Sequence, residues 1–166
     1  MQSLRSPARM ILLALALLTL GVGGAFAGPA GPEVVKAQDL IEANDKAPAK
    51  VTLNVVHATS TDGGVAPDLE RISKWLLKSF PNYKSFKRLS GREDLVAVGQ
   101  EVKETLPNGT TLTYKHLGWK DGFATFALSV GGLETTVNVK GGKGFLQAGR
   151  AFEGGMIVLA FRVENP

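Results

Sequence analysis

Apolar and polar residues alternate over most of this chain, and the alternation gives way once to a helical spacing. In VTLNVVHA, residues 51–58, Leu53, Val55 and His57 share one phase and Thr52, Asn54 and Val56 the other. This predicts a strand, closed by the turn-rich STDGG at 60–64. Leu69, Ile72, Leu76 and Phe80 then recur three and four residues apart, which predicts a helix over 67–79. Pro67 fixes φ at its start, Asp68 and Glu70 suit the positive end of its dipole, and Pro81 with Asn82 stops it. YKSFKRLS, 83–90, returns to alternation as a second strand. A strand, a crossover helix and a strand sharing one sheet predict a parallel, right-handed pair.

Beyond residue 91 the apolar segments are punctuated by turns. LVAVGQEVKETL, TTLTYKHLGW, FATFALSV and LETTVNVK are separated by Pro107-Asn108-Gly109, Lys120-Asp121-Gly122 and Gly131-Gly132. These turns supply the positive φ that tight hairpins need, so an antiparallel meander is expected. Ala124, Phe126, Leu128 and Val130 form the candidate buried phase of their strand. In GMIVLAFRV, 155–163, both phases stay apolar until Arg162, which predicts a central strand covered on both faces. The expected fold class is α+β, one amphipathic helix packed on a mostly antiparallel β-sheet or sandwich.

The first residues follow a different logic. Arg5 and Arg9 precede the apolar run MILLALALLTL, and GVGGAFA follows with Ala25 and Ala27 flanking Phe26. This is the pattern of a secretory signal peptide cleaved after Ala27. The competing expectation, a retained membrane anchor, rests on a stretch near the lower limit for spanning a bilayer. Residues 28–50 carry Pro29, Pro32 and Pro48 without a strong apolar stripe and read as a flexible lead-in, leaving 51–166 as a single domain. Within that lead-in, VVKAQDLIEAND at 34–45 is a candidate short helix.

Removing Arg5 and Arg9 from the 19 basic residues leaves 17 against 15 acidic ones, so the high isoelectric point of the whole chain does not argue for nucleic acid. The absence of cysteine excludes disulfides, thiolate metal sites, Cys nucleophiles and a lipoprotein anchor. His57 and His116 are the only histidines and stand at no metal-ligand spacing. Ser60 or Ser85 with a histidine and Asp62 or Asp94 composes a hydrolase triad on paper only, without a nucleophile elbow. GGKG at 141–144 lies between predicted strands and departs from the phosphate-loop pattern. No catalytic, metal or cofactor-binding set is therefore expected.

Charge distribution offers one candidate contact surface. Arg71, Lys74, Lys78, Lys84, Lys87, Arg88 and Arg92 fall within residues 71–92 without a single acid. Arg71, Lys74 and Lys78 share one side of the predicted helix. Such a field suits an acidic envelope protein, an anionic membrane surface or an anionic envelope polymer, with nucleic acid a poor third choice. A solvated helix face beside a lysine-protected edge strand is the alternative.

The run VVHATSTDGGVAPDLERISKWLLKSFPNYKSFKRL, with LPNGTTLTY and GGKGFLQAGRAFEGGMIVLAF, resembles small exported proteins of myxobacteria-like Gram-negative bacteria. The resemblance spans roughly residues 51–163 and lies in fold-building apolar and glycine positions. It implies a periplasmic location and carries no catalytic residue. The expectation is an exported, non-enzymatic binding or assembly module of the cell envelope. A small hydrolase-type enzyme is the alternative, or a membrane-tethered structural subunit if the leader is retained.

Overall fold

A computed structural model describes residues 45–165. The signal segment and most of the lead-in, including the candidate helix start at 34, lie outside the described residues. Among the described residues nine strands form two sheets. β1 (Ala49–Thr59), β2 (Gly64–Val65), β3 (Ser85–Val96), β8 (Lys143–Phe152) and β9 (Gly155–Glu164) make a five-stranded sheet in the order β2-β3-β1-β9-β8. β4 (Glu101–Thr105), β5 (Thr111–Lys120), β6 (Phe123–Val130) and β7 (Leu133–Lys140) make the expected antiparallel meander, in sequential order. A 3-10 turn, Pro67–Leu69, leads into α1, Glu70–Ser79. The chain is thus α+β, a mostly antiparallel sandwich with one helical segment against it.

The hairpin chemistry matches the turns. β5 and β6 are joined by Asp121-Gly122 with φ of 52° and 76°, and β6 and β7 by Gly131-Gly132 with φ of 53° and 84°. Paired positive φ is the geometry that lets a two-residue loop follow strand twist.

The order of β1 and β3 departs from expectation: they pair antiparallel, Ala49 opposite Val96 and Thr59 opposite Ser85. The reason is β2, which runs parallel to β3, placing Gly64 beside Ser85 and Val65 beside Phe86. The chain descends through β2, climbs back through α1 and enters β3 where β1 ended, the Lys84 amide donating to the Thr59 carbonyl at 2.8 Å. Three reversals separate the strands, so their directions oppose.

Two apolar layers hold the structure. Between the sheets, Val51, Leu53 and Val55 of β1 and Leu159, Phe161 and Val163 of β9 meet Leu112, Tyr114, Phe126 and Leu128 of the meander. Phe145 stacks on Phe161 at 4.6 Å between ring centroids, and Tyr114 meets Phe161 edge-on at 5.6 Å. On the outer face of the five-stranded sheet, Leu69 and Leu76 cover Val56, Ala58, Phe86 and Val158, with Ile72 and Phe80 packed alongside. The helical apolar stripe is therefore buried as its spacing predicts, and β9 is covered on both faces.

Three bulges redirect side chains. On β3, Val55 faces Ser90 while Val56 faces Arg88, leaving Leu89 as an extra residue. Arg88 consequently shares the outer face with Val56, whereas Arg92 shares the inner face with Leu53. On β5 the extra residue is Leu117, so His116 and Trp119 are both buried. On β8 it is Gly149, with φ of 116°. Ala148 then joins the helix-side layer, and the guanidinium of Arg150 donates across the sandwich to the carbonyls of Val130 and Gly131.

Candidate binding groove

The outer face of the five-stranded sheet is wider than the helix that covers it. Beside α1 this leaves an open groove of about 750 Å³ that crosses β3, β1, β9 and β8. The 3-10 turn and α1 form one wall with Asp68, Arg71, Ile72 and Trp75. The floor comes from outward-facing positions, Lys50, Thr52 and Asn54 of β1, Arg88 and Glu93 of β3, and Arg162 and Glu164 of β9. Lys143 and Gly144 of β8 close the far end.

Four basic and three acidic side chains line this groove, and Lys143, whose register opposite Val163 puts it in the inward phase of β8, borders it at the sheet edge. Three cations are paired: Arg88 with Asp68 at 3.0 Å, Lys50 with Glu93 at 3.2 Å, and Arg162 with Glu164 at 2.8 Å. All three pairs are substantially solvent-exposed and contribute little to stability. Arg71 and Lys143 have no acidic partner among the described residues. The positive surplus of the groove therefore comes from Arg71 on its helical wall, with Lys143 at its far edge. Trp75 is half-buried between the exposed basic side of α1 and its apolar stripe.

The seven basic residues of the 71–92 stretch are dispersed. Arg71 and Arg88 line the groove, whereas Lys74 and Lys78 are exposed elsewhere on α1. Lys84 pairs with Asp62 at 3.2 Å, and Lys87 borders a small cavity beyond the end of β1. Arg92 faces the sandwich interior. Acids from outside the stretch neutralise Lys84, Arg88 and Arg92, so a count along the sequence overstates the local field. Lys50, Lys143 and Arg162 enter from elsewhere, and Trp75 comes from the same helix as Arg71; the outward phase of β1 and the break in the apolar run at Arg162 are the only sequence signals of the three.

Arg92 belongs to a polar cluster at the seam between β3 and β4. It donates twice to Asp94, at 2.6 Å each, while the Tyr114 hydroxyl donates to Asp94 Oδ2 at 2.6 Å. Ser90 donates to Glu104 at 3.2 Å; the second Glu104 oxygen is buried without a hydrogen bond, 3.8 Å from Arg92 Nη1. Burial opposes the Asp94 charge, but the hydrogen bonds from Arg92 and Tyr114 and the Arg92 charge outweigh it, so its pKa lies below the ordinary carboxylate value. Burial first, then the hydrogen bond to Asp94, pushes the Tyr114 pKa up. The Asp94 hydrogen bond likewise raises that of Arg92. Apart from that Glu104 oxygen, these groups satisfy one another across the two sheets, which makes the cluster a fastening.

His116 is fully buried, its Nδ1 donating to the Val96 carbonyl at 3.2 Å and its ring stacked on Phe126. Burial holds its pKa below the usual histidine value despite backbone hydrogen bonding. His57, Asp62 and Ser85 do border one cavity of about 180 Å³. The hydrogen bonds of a triad do not connect them: His57 Nε2 lies 3.1 Å from the Phe152 carbonyl, and Asp62 is paired with Lys84. Among the described residues no cluster of three or more His, Cys, Asp or Glu is arranged for a metal ion, and no helix is long and apolar enough to cross a membrane. No protein-family model, no curated protein and no solved structure matches the chain.

Proposed function

We propose that this chain is an exported, non-enzymatic binding module of the cell envelope that holds an anionic partner in the groove beside α1. The observation that carries this is the convergence of four cations from one helix and three strands on one concave surface, one of them, Arg71, free of any acidic partner among the described residues, with Lys143 at the edge. The unpaired Arg71 on the wall and Lys143 at the far edge favour an anionic ligand, and the concave wall adds contact area that a flat basic face lacks. The leader at residues 1–27 supports export, and the resemblance to small exported proteins supports an envelope setting.

The chain beginning at Gly28, immobilised and exposed to a solubilised envelope preparation, tests this. Retention of anionic material at low salt, lost at high salt and in the Arg71→Glu/Lys143→Glu variant, is the expected result. Equal retention by the folded variant at both salt concentrations overturns it. Intact mass of the protein recovered from the periplasm tests export: a chain starting near Gly28 is expected, and retention of Met1–Ala27 identifies an anchored form.

A further inference from the structure

The lining of the groove says more about its ligand than charge sign alone. Resting on the preceding proposal, we infer that the occupant is a segment of an acidic polysaccharide, a chain of hydroxyl-rich rings with carboxylates at intervals.

Three observations carry this. First, the groove intersperses carboxylates with its cations: Asp68, Glu93 and Glu164 each stand beside a basic residue. A ligand that offers carboxylates alone, such as a run of acidic side chains, meets repulsion from these three groups and gives them no donor. A sugar ring presents hydroxyls that donate to carboxylates and accept from guanidinium and ammonium groups, so the same lining is complementary to it. Thr52 and Asn54 on the floor add a hydroxyl and an amide able to do both. Second, Trp75 stands in the wall, half-buried. An indole combines a broad apolar face with a rigid side chain, and the apolar face of a pyranose packs against such a surface at low entropic cost.

Third, the groove has room for more than one ring. It crosses four neighbouring strands, whose spacing of about 4.8 Å sets a floor roughly 14 Å long. That length accommodates a few consecutive rings, with Arg71 on the helix wall to take a carboxylate and Lys143 bordering the edge of the sheet at β8. An anionic membrane surface, being flat, reaches the rim of this concavity and leaves Trp75 uncovered.

Trp119 is buried in the core, so Trp119→Phe leaves Trp75 as the sole tryptophan, and its emission under tryptophan-selective excitation reports on the groove. Short oligogalacturonates are the probe, with neutral xylo-oligosaccharides, oligoglutamate and anionic phospholipid vesicles as comparisons. The expected result is a saturable change in Trp75 emission with oligogalacturonate. In isothermal titration of the otherwise native chain, Trp75→Ala and Arg71→Glu/Lys143→Glu should each weaken the interaction roughly tenfold or more. Tighter binding of oligoglutamate or vesicles than of oligogalacturonate, or full retention of oligogalacturonate affinity by the folded Trp75→Ala protein, overturns the inference. Salt-sensitive retention of envelope material together with no response to oligogalacturonate removes the polysaccharide inference and leaves the anion-binding proposal standing. Loss of both removes the proposal itself.

Discussion

The hydroxyl of Tyr114 on β5 donates a 2.6 Å hydrogen bond to Oδ2 of Asp94 on β3, joining the two sheets at the seam Arg92 also spans. Tyr114→Phe keeps the ring against Phe161 and removes only this bond. A loss of about 1–3 kcal/mol is expected in urea unfolding, because the carboxylate beneath it is only partly exposed. An unchanged midpoint would show that water replaces the phenol at no cost.

The same pair gives stability a dependence at both ends of the pH scale. Asp94 has a lowered pKa in the folded protein, so its contribution is present above the unfolded value of about 3.9 and is lost as pH falls through the folded value. Tyr114 has a raised pKa, so its contribution is present below about pH 10 and is lost as pH rises through the folded value. Denaturant midpoints of Tyr114→Phe should lack the alkaline part of this loss.

His116 produces a third, milder limb. Its pKa is lowered by burial, so the unfolded chain takes up a proton before the folded one does. Stability from this residue is present above about pH 6.5 and declines as pH falls toward the folded value. Thermal midpoints measured between about pH 7.5 and about pH 5 should show the decline in the native chain and a flatter profile in His116→Phe. Parallel profiles would refute the assignment.

Leu76 is fully buried under α1. Leu76→Ala should cost about 2–5 kcal/mol, since the cavity opens against the sheet rather than solvent. Gly144 faces Arg162 across β8 and β9, and a Cβ there overlaps the Phe161 carbonyl. Gly144→Ala is expected to destabilise by roughly 1–3 kcal/mol through strand displacement. Equilibrium unfolding of both variants checks the pair.

Charge reversal separates the groove from the rest of the helix. Lys74→Glu/Lys78→Glu and Arg71→Glu/Lys143→Glu each change two exposed or groove-lining cations and should alter stability by no more than about 0.5 kcal/mol per site. Only the second pair is expected to abolish salt-sensitive binding, measured by envelope retention with circular dichroism as the folding control. Loss confined to the first pair would move the contact surface onto the exposed basic side of α1.

Much of this architecture was legible along the chain. The stripe from Leu69 to Phe80, the Asp-Gly and Gly-Gly hairpins and the doubly apolar β9 each express a period or a φ requirement within a few residues. The bulges were not legible. Leu89, Leu117 and Gly149 shift phase by one residue, and nothing local marks Leu89 or Leu117 as extra, because a bulge is fixed by the partner strand. Arg88 and Arg92 therefore belonged together in sequence and lie on opposite faces in space. The groove was only half visible for the same reason: Lys50, Lys143 and Arg162 become neighbours through strand order, which alternation does not encode.

That strand order also governs how the chain can reach its native state. β1, the first strand, sits between β3 and β9, the last, with Lys50 opposite Glu164 and Ala58 opposite Met156. The five-stranded sheet cannot be completed until nearly the whole domain has emerged, and the loop closed by that pairing is among the longest available to it. High contact order of this kind makes for slow folding, whereas the β4–β7 meander requires only neighbouring strands and has no such delay. Until β9 inserts, β1 presents an unpaired apolar edge, the feature that draws a partly formed sheet into association with other copies. β9, Gly155–Glu164, is thus the closing piece of the sheet's centre, and its removal exposes the middle of the sheet rather than trimming its margin.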